Sequence, residues 1–483
     1  MIRLTEPNGC PAGRVHPHAT GYPPSGRTSA RSNGLKRIDG RLVRVTSTTS
    51  KTNLSVSAVL SHLIQIDTSN TGDDDGPGER LAAEYCAELL TAAGLQPELL
   101  ESAPRRANLL TRWPGLDSSR PPLVVHGHLD VVPARADDWS VAPFSGEIRD
   151  GFVWGRGAID MKQFIAQLVT LVDARQRANR PPARDVLLVF TADEEHSGQR
   201  GSYWLAREHR DRFDGVKDAM GEGGGFSLSL PSGRRVYSVG TGEKGMLWTR
   251  LRAEGRAGHG SMVNRENAVT RLAEAVARIG SHEFPIELTD TAMAMLLVLG
   301  DELGWSDEKV LAEPEAVCDA LPLVANELRS TLRHIATPTM LEAGYKSNVI
   351  PGHASATIDV RTLPGLEPQF LKVFDDLIGP DVKRETIVHD PAHEGPLEGA
   401  VPEAIAMALA AEDTDGRIMP SLDTGGTDSK AFVPLGIQCY GFTPLQFPAD
   451  EPHPELYHGI DERVPVDGLE FGVRVLDRIF DAI

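Results

Sequence analysis

The chain has 483 residues, with 40% hydrophobic residues and a formal net charge of −19. That length is enough for about three domain-sized units, and the acidic balance argues against a general nucleic-acid binder. No apolar run is long enough to span a bilayer. The four cysteines (Cys10, Cys86, Cys318 and Cys439) are scattered and form no CxxC, which suits a reducing cytoplasm. Residues 1–52 are rich in Arg, Ser, Gly and Pro and carry only two acids, Glu6 and Asp39. They are expected to be a disordered tail, with an organelle transit peptide as the alternative.

From Leu54 the apolar residues fall at helical spacing through Ile66, and a second helix over Leu81–Leu90 is closed by Gly94. Strands are expected near Glu98–Glu101, Ala107–Trp113 and Leu123–Gly127. An amphipathic helix carries Phe164, Leu168, Leu171 and Val172, and another buried-type strand spans Asp185–Thr191. A helix near Ser202–His209 precedes a strand running into Met220. Alternation of this kind predicts an α/β fold with a mostly parallel sheet and helices on both faces.

The pattern changes after Gly245. Met246–Glu254 is strand-like, a helix follows over Val269–Ile279, and Ala354–Arg361 alternates with Ala354, Ala356, Ile358 and Val360 on one face. A helix over Phe370–Ile378 stops at Gly379-Pro380, and Lys383–Val388 is a strand. These elements predict a small α+β domain over 246–393, inserted into a catalytic domain of 53–245 and 394–483. Residues 284 to about 340 read as a helical insertion within it.

The chemistry-bearing residues sit at strand ends or just beyond: His128, Asp130, Asp160, Glu194, Glu195, Glu222 and His458. Ligands bind at the ends of strands in open α/β sheets. Unpaired carboxylates gathered at one sheet end repel unless cations neutralise them. Mixed His and carboxylate donors suit zinc, with cobalt or manganese as substitutes. Of two adjacent acids such as Glu194 and Glu195, one can bind metal while the other takes a proton from water. By alternation His126 shares a side with His128, so spacing leaves both as candidates.

Eight segments then occur in order: HGHLDVVP, WSVAPFSGEIRDGFVWGRGAIDMK, FTADEEHSG, GEGGG, GRAGHGS, SNVIPGHASATIDVRTLPG, GGTDSKAF and LYHGIDERVPV. Together they resemble the dinuclear zinc peptidase and amidohydrolase family of aminoacylase, acetylornithine deacetylase, succinyl-diaminopimelate desuccinylase and carboxypeptidase S-like enzymes. The resemblance covers residue 54 to the C-terminus apart from the insertion. It implies two zinc ions held by His128, Asp160 as bridge, Glu195, Glu222 and His458, and it drops His126. It further implies Asp130 as the carboxylate orienting His128, and Glu194 as general base. The inserted domain becomes a ferredoxin-like lid and dimerisation domain whose His259 stabilises the oxyanion in a partner's site. Asn348, Arg361, Gly426 and Thr427 become substrate-binding residues.

The implied reaction is hydrolysis of an amide or peptide bond in a small N-acyl amino acid or short peptide. Desuccinylase-like or acetylornithine deacetylase-like activity is the nearest alternative. A non-catalytic metal-binding protein on the same scaffold is the rival from another class. No nucleic-acid or membrane partner is implied, and a homodimer through the lid is expected.

Overall fold

The computed structural model describes residues 54–72, 76–451 and 455–483, with the backbone of strands Leu35–Ile38 and Arg41–Arg44. Those two strands pair antiparallel within a separate unit, Met1–Thr52. The rest of the expected tail lies outside the described residues. Asn53–Ile483 forms one compact unit.

Its main sheet is organised around Leu123–His128. This strand pairs in parallel with Val186–Thr191 on one side and Asp218–Gly221 on the other, and Gln438–Gly441 continues the parallel core. Both flanks are antiparallel: Arg106–Trp113 and Glu98–Ala103 on one side, Arg235–Glu243 with Ser227–Ser229 on the other. The strand opens on the apolar run Leu123–Val125, without polar alternation, because both its faces are covered. Leu123 and Val125 face a cluster with Phe164, Leu168 and Phe480, while Val124 faces a second cluster with Leu205, Phe213 and Phe432. The helices Val56–Gln65, Lys162–Arg177 and Val466–Ala482 build the first face. Lys162 is buried at the start of its helix, and its ammonium donates to the Leu63 and Ile66 carbonyls at 3.0 and 2.9 Å. Those carbonyls lie at the end of helix Val56–Gln65, where helical partners run out; that of Leu63 also accepts from the Ile66 N–H at 3.2 Å.

A second, four-stranded antiparallel sheet has the order Ile335–Ala343, His353–Thr362, Gly245–Glu254, Val382–Asp390. With helices Ala268–Gly280 and Glu367–Ile378 on one face, its connectivity is strand–helix–strand–strand–helix–strand, the ferredoxin-like arrangement. The alternating face of Ala354, Ala356, Ile358 and Val360 is buried under these helices, as its pattern predicts. Chain entry and exit meet at one place. Arg235–Glu243 leads directly into Gly245–Glu254, and His393–Glu394 returns to pair with Gly242 and Glu243.

Residues 284–340 depart from the expected all-helical insertion. Its helices are Asp290–Glu302, Asp307–Ala312, Pro314–Asp319 and Ala325–Thr331, after which Ile335–Ala343 is a strand. That strand lies at the sheet edge, largely exposed, with Pro338 beside a register shift. An edge strand with a proline and a bulge need not alternate in hydrophobicity, so its sequence carries no strand signal. The insertion helices pack on Gly416–Asp423 of the main sheet, through Met295, Leu296, Leu299 and Met419.

One buried acid ties the C-terminal helices to this sheet. Asp413, just past helix Ala400–Glu412, accepts two hydrogen bonds from Arg235 (2.6 and 2.7 Å) and one from Tyr237 (2.7 Å). Burial raises its pKa, but the Arg235 and Tyr237 hydrogen bonds outweigh this and hold it below the ordinary value. A depressed carboxyl contributes stability in full above its unfolded pKa of about 3.9 and loses it as pH falls through the folded value. Asp413→Ala is therefore expected to cost about 2 kcal/mol in urea unfolding at pH 7, by stranding the buried Tyr237 hydroxyl and the half-buried Arg235 guanidinium. The gap to the parent should narrow below about pH 4; a gap independent of pH would refute the linkage.

Candidate active site

The strand ends of the parallel core collect the predicted acids and histidines. His128 closes its strand with a buried side chain. Its Nε2 lies 3.0 Å from Asp160 Oδ1, 3.6 Å from Glu222 Oε2 and 3.9 Å from Glu194 Oε2. On its other oxygen, Asp160 faces His458 Nε2 at 3.1 Å, so this carboxylate stands between the two imidazoles. His458 Nε2 is also 3.0 Å from Glu195 Oε2. Two donor sets follow: His128 with Glu194 and Glu222, and His128 with Asp160 and Glu195, each with atoms within 4.8 Å of one another.

The electrostatics express the same crowding. Burial, then the charge of Asp160, raises Glu222 to about 8. Burial, then Glu222, raises Glu194 well above the ordinary range. Hydrogen bonds to Asp160 and Glu195 push His458 up to about 10, so it carries a proton that partly offsets the acids. A cation among these donors would do the same work. The residues fit a metal pair: imidazole nitrogens and carboxylates in two groups that share His128, with Asp160 between His128 and His458 and with Glu195 Oε1 buried and without a hydrogen-bond partner.

Asp130 is placed somewhat differently from its expected role. The closer partner of His128 Nδ1 is the Asp130 backbone carbonyl at 2.9 Å, with the carboxylate at 3.7 Å. Instead the carboxylate accepts from the backbone N–H groups of Glu194 (3.2 Å) and Glu195 (3.1 Å) and from Asn70 (2.9 Å). It thus positions both acids as well as standing beside the imidazole. His126 is a core histidine: buried, packed on Phe432, and pushed down to about 3 by burial and by His128.

Arg361, Gly426 and Thr427 line the same cavity as Asp160, Glu194, Glu195, Glu222 and His458. Arg361 is held by Asp359 (2.8 Å) and by the Gly425 carbonyl (3.2 Å). Thr427 gives its hydroxyl to buried Glu243 (2.6 Å), which occupies it with framework rather than substrate. Among the described residues, the cavity lining does not include His259 or Asn348. His259 is exposed on a short strand, its Nδ1 2.9 Å from Ser261 Oγ, and that strand pairs with Val349–Ile350 beside Asn348.

Glu462 is the functional side chain that motif reading left without a role. Fully buried, it accepts from the backbone N–H of Gly157 (3.0 Å), Ile159 (2.6 Å) and Asp160 (3.2 Å) and pairs with Arg156 at 2.6 Å. Arg156 in turn donates to the His458 and Gly459 carbonyls at 3.2 and 2.9 Å. One buried ion pair therefore fixes the two loops bearing Asp160 and His458. The signal available was an acid four residues past His458 and an arginine four before Asp160. The peptide bond between Asp160 and Met161 is cis.

A mixed α/β sheet with histidines and carboxylates clustered at its strand ends is the framework of a metal-dependent hydrolase. The chain belongs to peptidase family M20/M25/M40, whose family model matches residues 124–482. It is 27% identical over 383 residues to a carboxypeptidase S-like protein of Dictyostelium discoideum, covering 74% of this chain and 71% of that one. It is 28% identical over 373 residues to N-fatty-acyl-amino acid synthase/hydrolase PM20D1 of Xenopus tropicalis, covering 74% and 72%. An M20 family metallo-carboxypeptidase of Sulfolobus solfataricus shares the fold, with a TM-score of 0.67 at 17% identity over 88% of this chain and 98% of that one.

Glu462→Gln keeps shape and removes the charge that holds three backbone donors and Arg156. Supporting groups of this kind set ligand geometry, and their loss weakens metal binding about 10–100-fold. Competition with a chromophoric chelator should show that drop in zinc affinity; unchanged affinity would mean the Asp160 loop holds itself.

Proposed function

We propose that this hydrolase cleaves the amide bond of N-acyl amino acids, using two zinc ions, with short peptides as the second reading. The observation that carries it is Glu194 standing in one cavity with the Asp160, Glu195, Glu222 and His458 donors and with Arg361, while buried His128 reaches within 3.9 Å of Glu194. Arg361 offers a planar fork to the substrate carboxylate. Glu194 takes the proton of the attacking water and passes it to the amine nitrogen as the C–N bond breaks, releasing an amino acid and a carboxylic acid. Zinc, when bound, supplies the Lewis acidity that polarises the carbonyl and acidifies water; cobalt or manganese can substitute. Glu222 and Asp160 hold the metals, while Asp130 keeps Glu194 and Glu195 in register.

His259, exposed and away from the cavity, is assigned to the site of a second copy, where its ring would donate to the oxyanion. Support for that copy comes from the edge strand Ile335–Ala343, which exposes Met340 and Leu341 next to exposed Tyr345. An unpaired edge with apolar side chains is a ready pairing surface. Asn348, beside His259 on the paired short strands, joins the substrate-binding set from the same side, and Gly426 and Thr427 shape its wall. The domain over 246–393 then acts as lid and dimerisation unit. No described helix is long and apolar enough to cross a membrane. Cys86, Cys318 and Cys439 are free and buried, which supports a cytoplasmic setting.

Glu194→Ala should abolish turnover of N-acyl amino acids and dipeptides, by at least about 100-fold, while two zinc ions per chain remain by elemental analysis. Absence of turnover by the zinc-loaded parent on every substrate would sink the hydrolase reading. His259→Ala should lose turnover and keep its metal. Mixing it with Glu194→Ala should restore activity, since a mixed dimer holds one intact composite site. No recovery after subunit exchange would place His259 outside the partner's chemistry.

A further inference from the structure

Behind the catalytic acids, outside the cavity lining, lies a second layer of buried charge. Arg106 and Asp193 are both buried, and Arg106 Nη2 donates to Asp193 Oδ1 at 2.9 Å. Asp193 is the residue before Glu194, yet neither it nor Arg106 lines the cavity. Arg106 opens the strand Arg106–Trp113, which pairs with Val186–Thr191, the strand that leads into Asp193. The same nitrogen is 3.0 Å from Glu79, an acid with no exposure. Burial and then Asp130 push the Glu79 carboxyl up to about 8, so it is mostly protonated at neutral pH. The charge of Arg106 is therefore left for Asp193.

At Asp193 the loop carrying the two acids closes on itself. The Asp193 carboxylate also accepts from Ser197 Oγ (3.1 Å), the Arg200 N–H (2.9 Å) and Asn70 Nδ2 (3.2 Å). Its carbonyl accepts from the Gly198 N–H at 2.6 Å. The backbone φ of 67° lies in the left-handed region, which a non-glycine residue occupies when such contacts hold it. Asn70 Nδ2 is shared with Asp130 Oδ2 at 2.9 Å, so Asp130 and Asp193 face each other across one amide. Both act on the same dipeptide. Asp130 accepts the N–H groups of Glu194 and Glu195, and Asp193 carries them on its own chain. Without a cation beside Asp193, two buried carboxylates would repel across that amide. Asp193 would turn away or take up a proton, and the backbone that directs both acids would shift. A displacement of about 1 Å at a reacting group can cost about 100-fold in rate.

We propose that Arg106 is a positioning residue for Glu194 and Glu195: by holding the Asp193 carboxylate it aims the first at the attacking water and the second at the metal, touching neither. Its effect on turnover rests on the amide-hydrolase reading; its effect on Glu195 does not. A buried ion pair is weak evidence for net stability, because desolvation offsets attraction. What this one supplies is direction.

The test is a double-mutant cycle on Arg106→Met and Asp193→Asn, read on hydrolysis of N-acetyl-phenylalanine by the zinc-saturated chain. Each single variant should lower kcat about 10–100-fold and leave KM within about twofold, because contacts with bound substrate are untouched. The double variant strands no charge and should be no worse than the worse single; it also stands in for Arg106→Met if that variant does not fold. Arg106→Lys returns a positive charge where one nitrogen makes the contact, and should regain at least about threefold of the loss. A purely structural role would lower the yield of folded protein and leave kcat per zinc-loaded site unchanged. Parental kcat in the double variant, or losses that simply multiply, overturn the proposal. Competition with a chromophoric chelator needs no turnover. Zinc affinity of the double variant should fall about tenfold, through Glu195. Parental affinity there overturns the proposal even in an active enzyme. A fall in affinity while the zinc-loaded parent hydrolyses nothing would sink only the hydrolase reading.

Discussion

Four carboxylates, Asp160, Glu194, Glu195 and Glu222, converge at one end of a buried sheet, and the structure around them is arranged to keep them there. Like charges a few ångströms apart in a low-dielectric site repel, and each would shed its charge or move away if it could. They are prevented from moving by their backbones. Asp130 grips the N–H groups of Glu194 and Glu195, and Glu462 grips those around Asp160. Asp193 adds a further layer: it accepts from Arg106 and Asn70, and Asn70 also bonds Asp130. The acids are thus fixed by buried groups that do not themselves face the cavity. Protonated histidines or divalent cations can then supply the positive charge the cluster demands.

That arrangement explains why the site needs both ends of the chain. His458 lies more than 300 residues from His128, on a loop with positive backbone φ and a half-exposed side chain. Alone it would wander. Arg156 bonds the carbonyls of His458 and Gly459 while pairing with Glu462, so the loop bearing Asp160 and the loop bearing His458 are set by one buried ion pair. Removing either partner would leave the other charged and buried, a cost of several kcal/mol. The pair is better understood as a device for register than as a source of net stability.

Much of this was legible in the sequence, and the boundary is physical. Leu123–His128, Val186–Thr191, the alternating strand His353–Thr362 and the C-terminal helix could be read because their apolar periodicity records which faces are covered. The acids and histidines could be read because short motifs carry them. Three things could not. Strand Ile335–Ala343 is a largely exposed edge with Pro338 beside a register shift, so its sequence shows no alternation. The insertion helices have ordinary apolar patterns that do not say which sheet they cover, and they cover the main one. Glu462 and Asp413 act through partners 306 and 178 residues away, Arg156 and Arg235, and local composition is silent about such pairing. Arg361 lines the cavity, whereas His259 and Asn348 stand outside it on this chain.

The cavity has a polar side with Arg361 and an apolar side with Val236, Met295, Leu328 and Met419. Arg361 sits opposite Met246 in the register of the small sheet, and Gly245 pairs with Thr362. Lys244, immediately before Gly245, pins the helix that carries Leu328. The group suited to a carboxylate and the apolar side are therefore linked across one pair of hydrogen-bonded strands, with the catalytic acids alongside. A molecule with a charged head and an apolar tail can satisfy both only in one direction. Binding energy from the tail would then act at a distance from the reacting bond to hold it in place, which is how remote contacts raise turnover as well as affinity. A substrate lacking either end would bind without being oriented, so selectivity would follow from the spacing of two unlike surfaces tied to one pair of hydrogen-bonded strands.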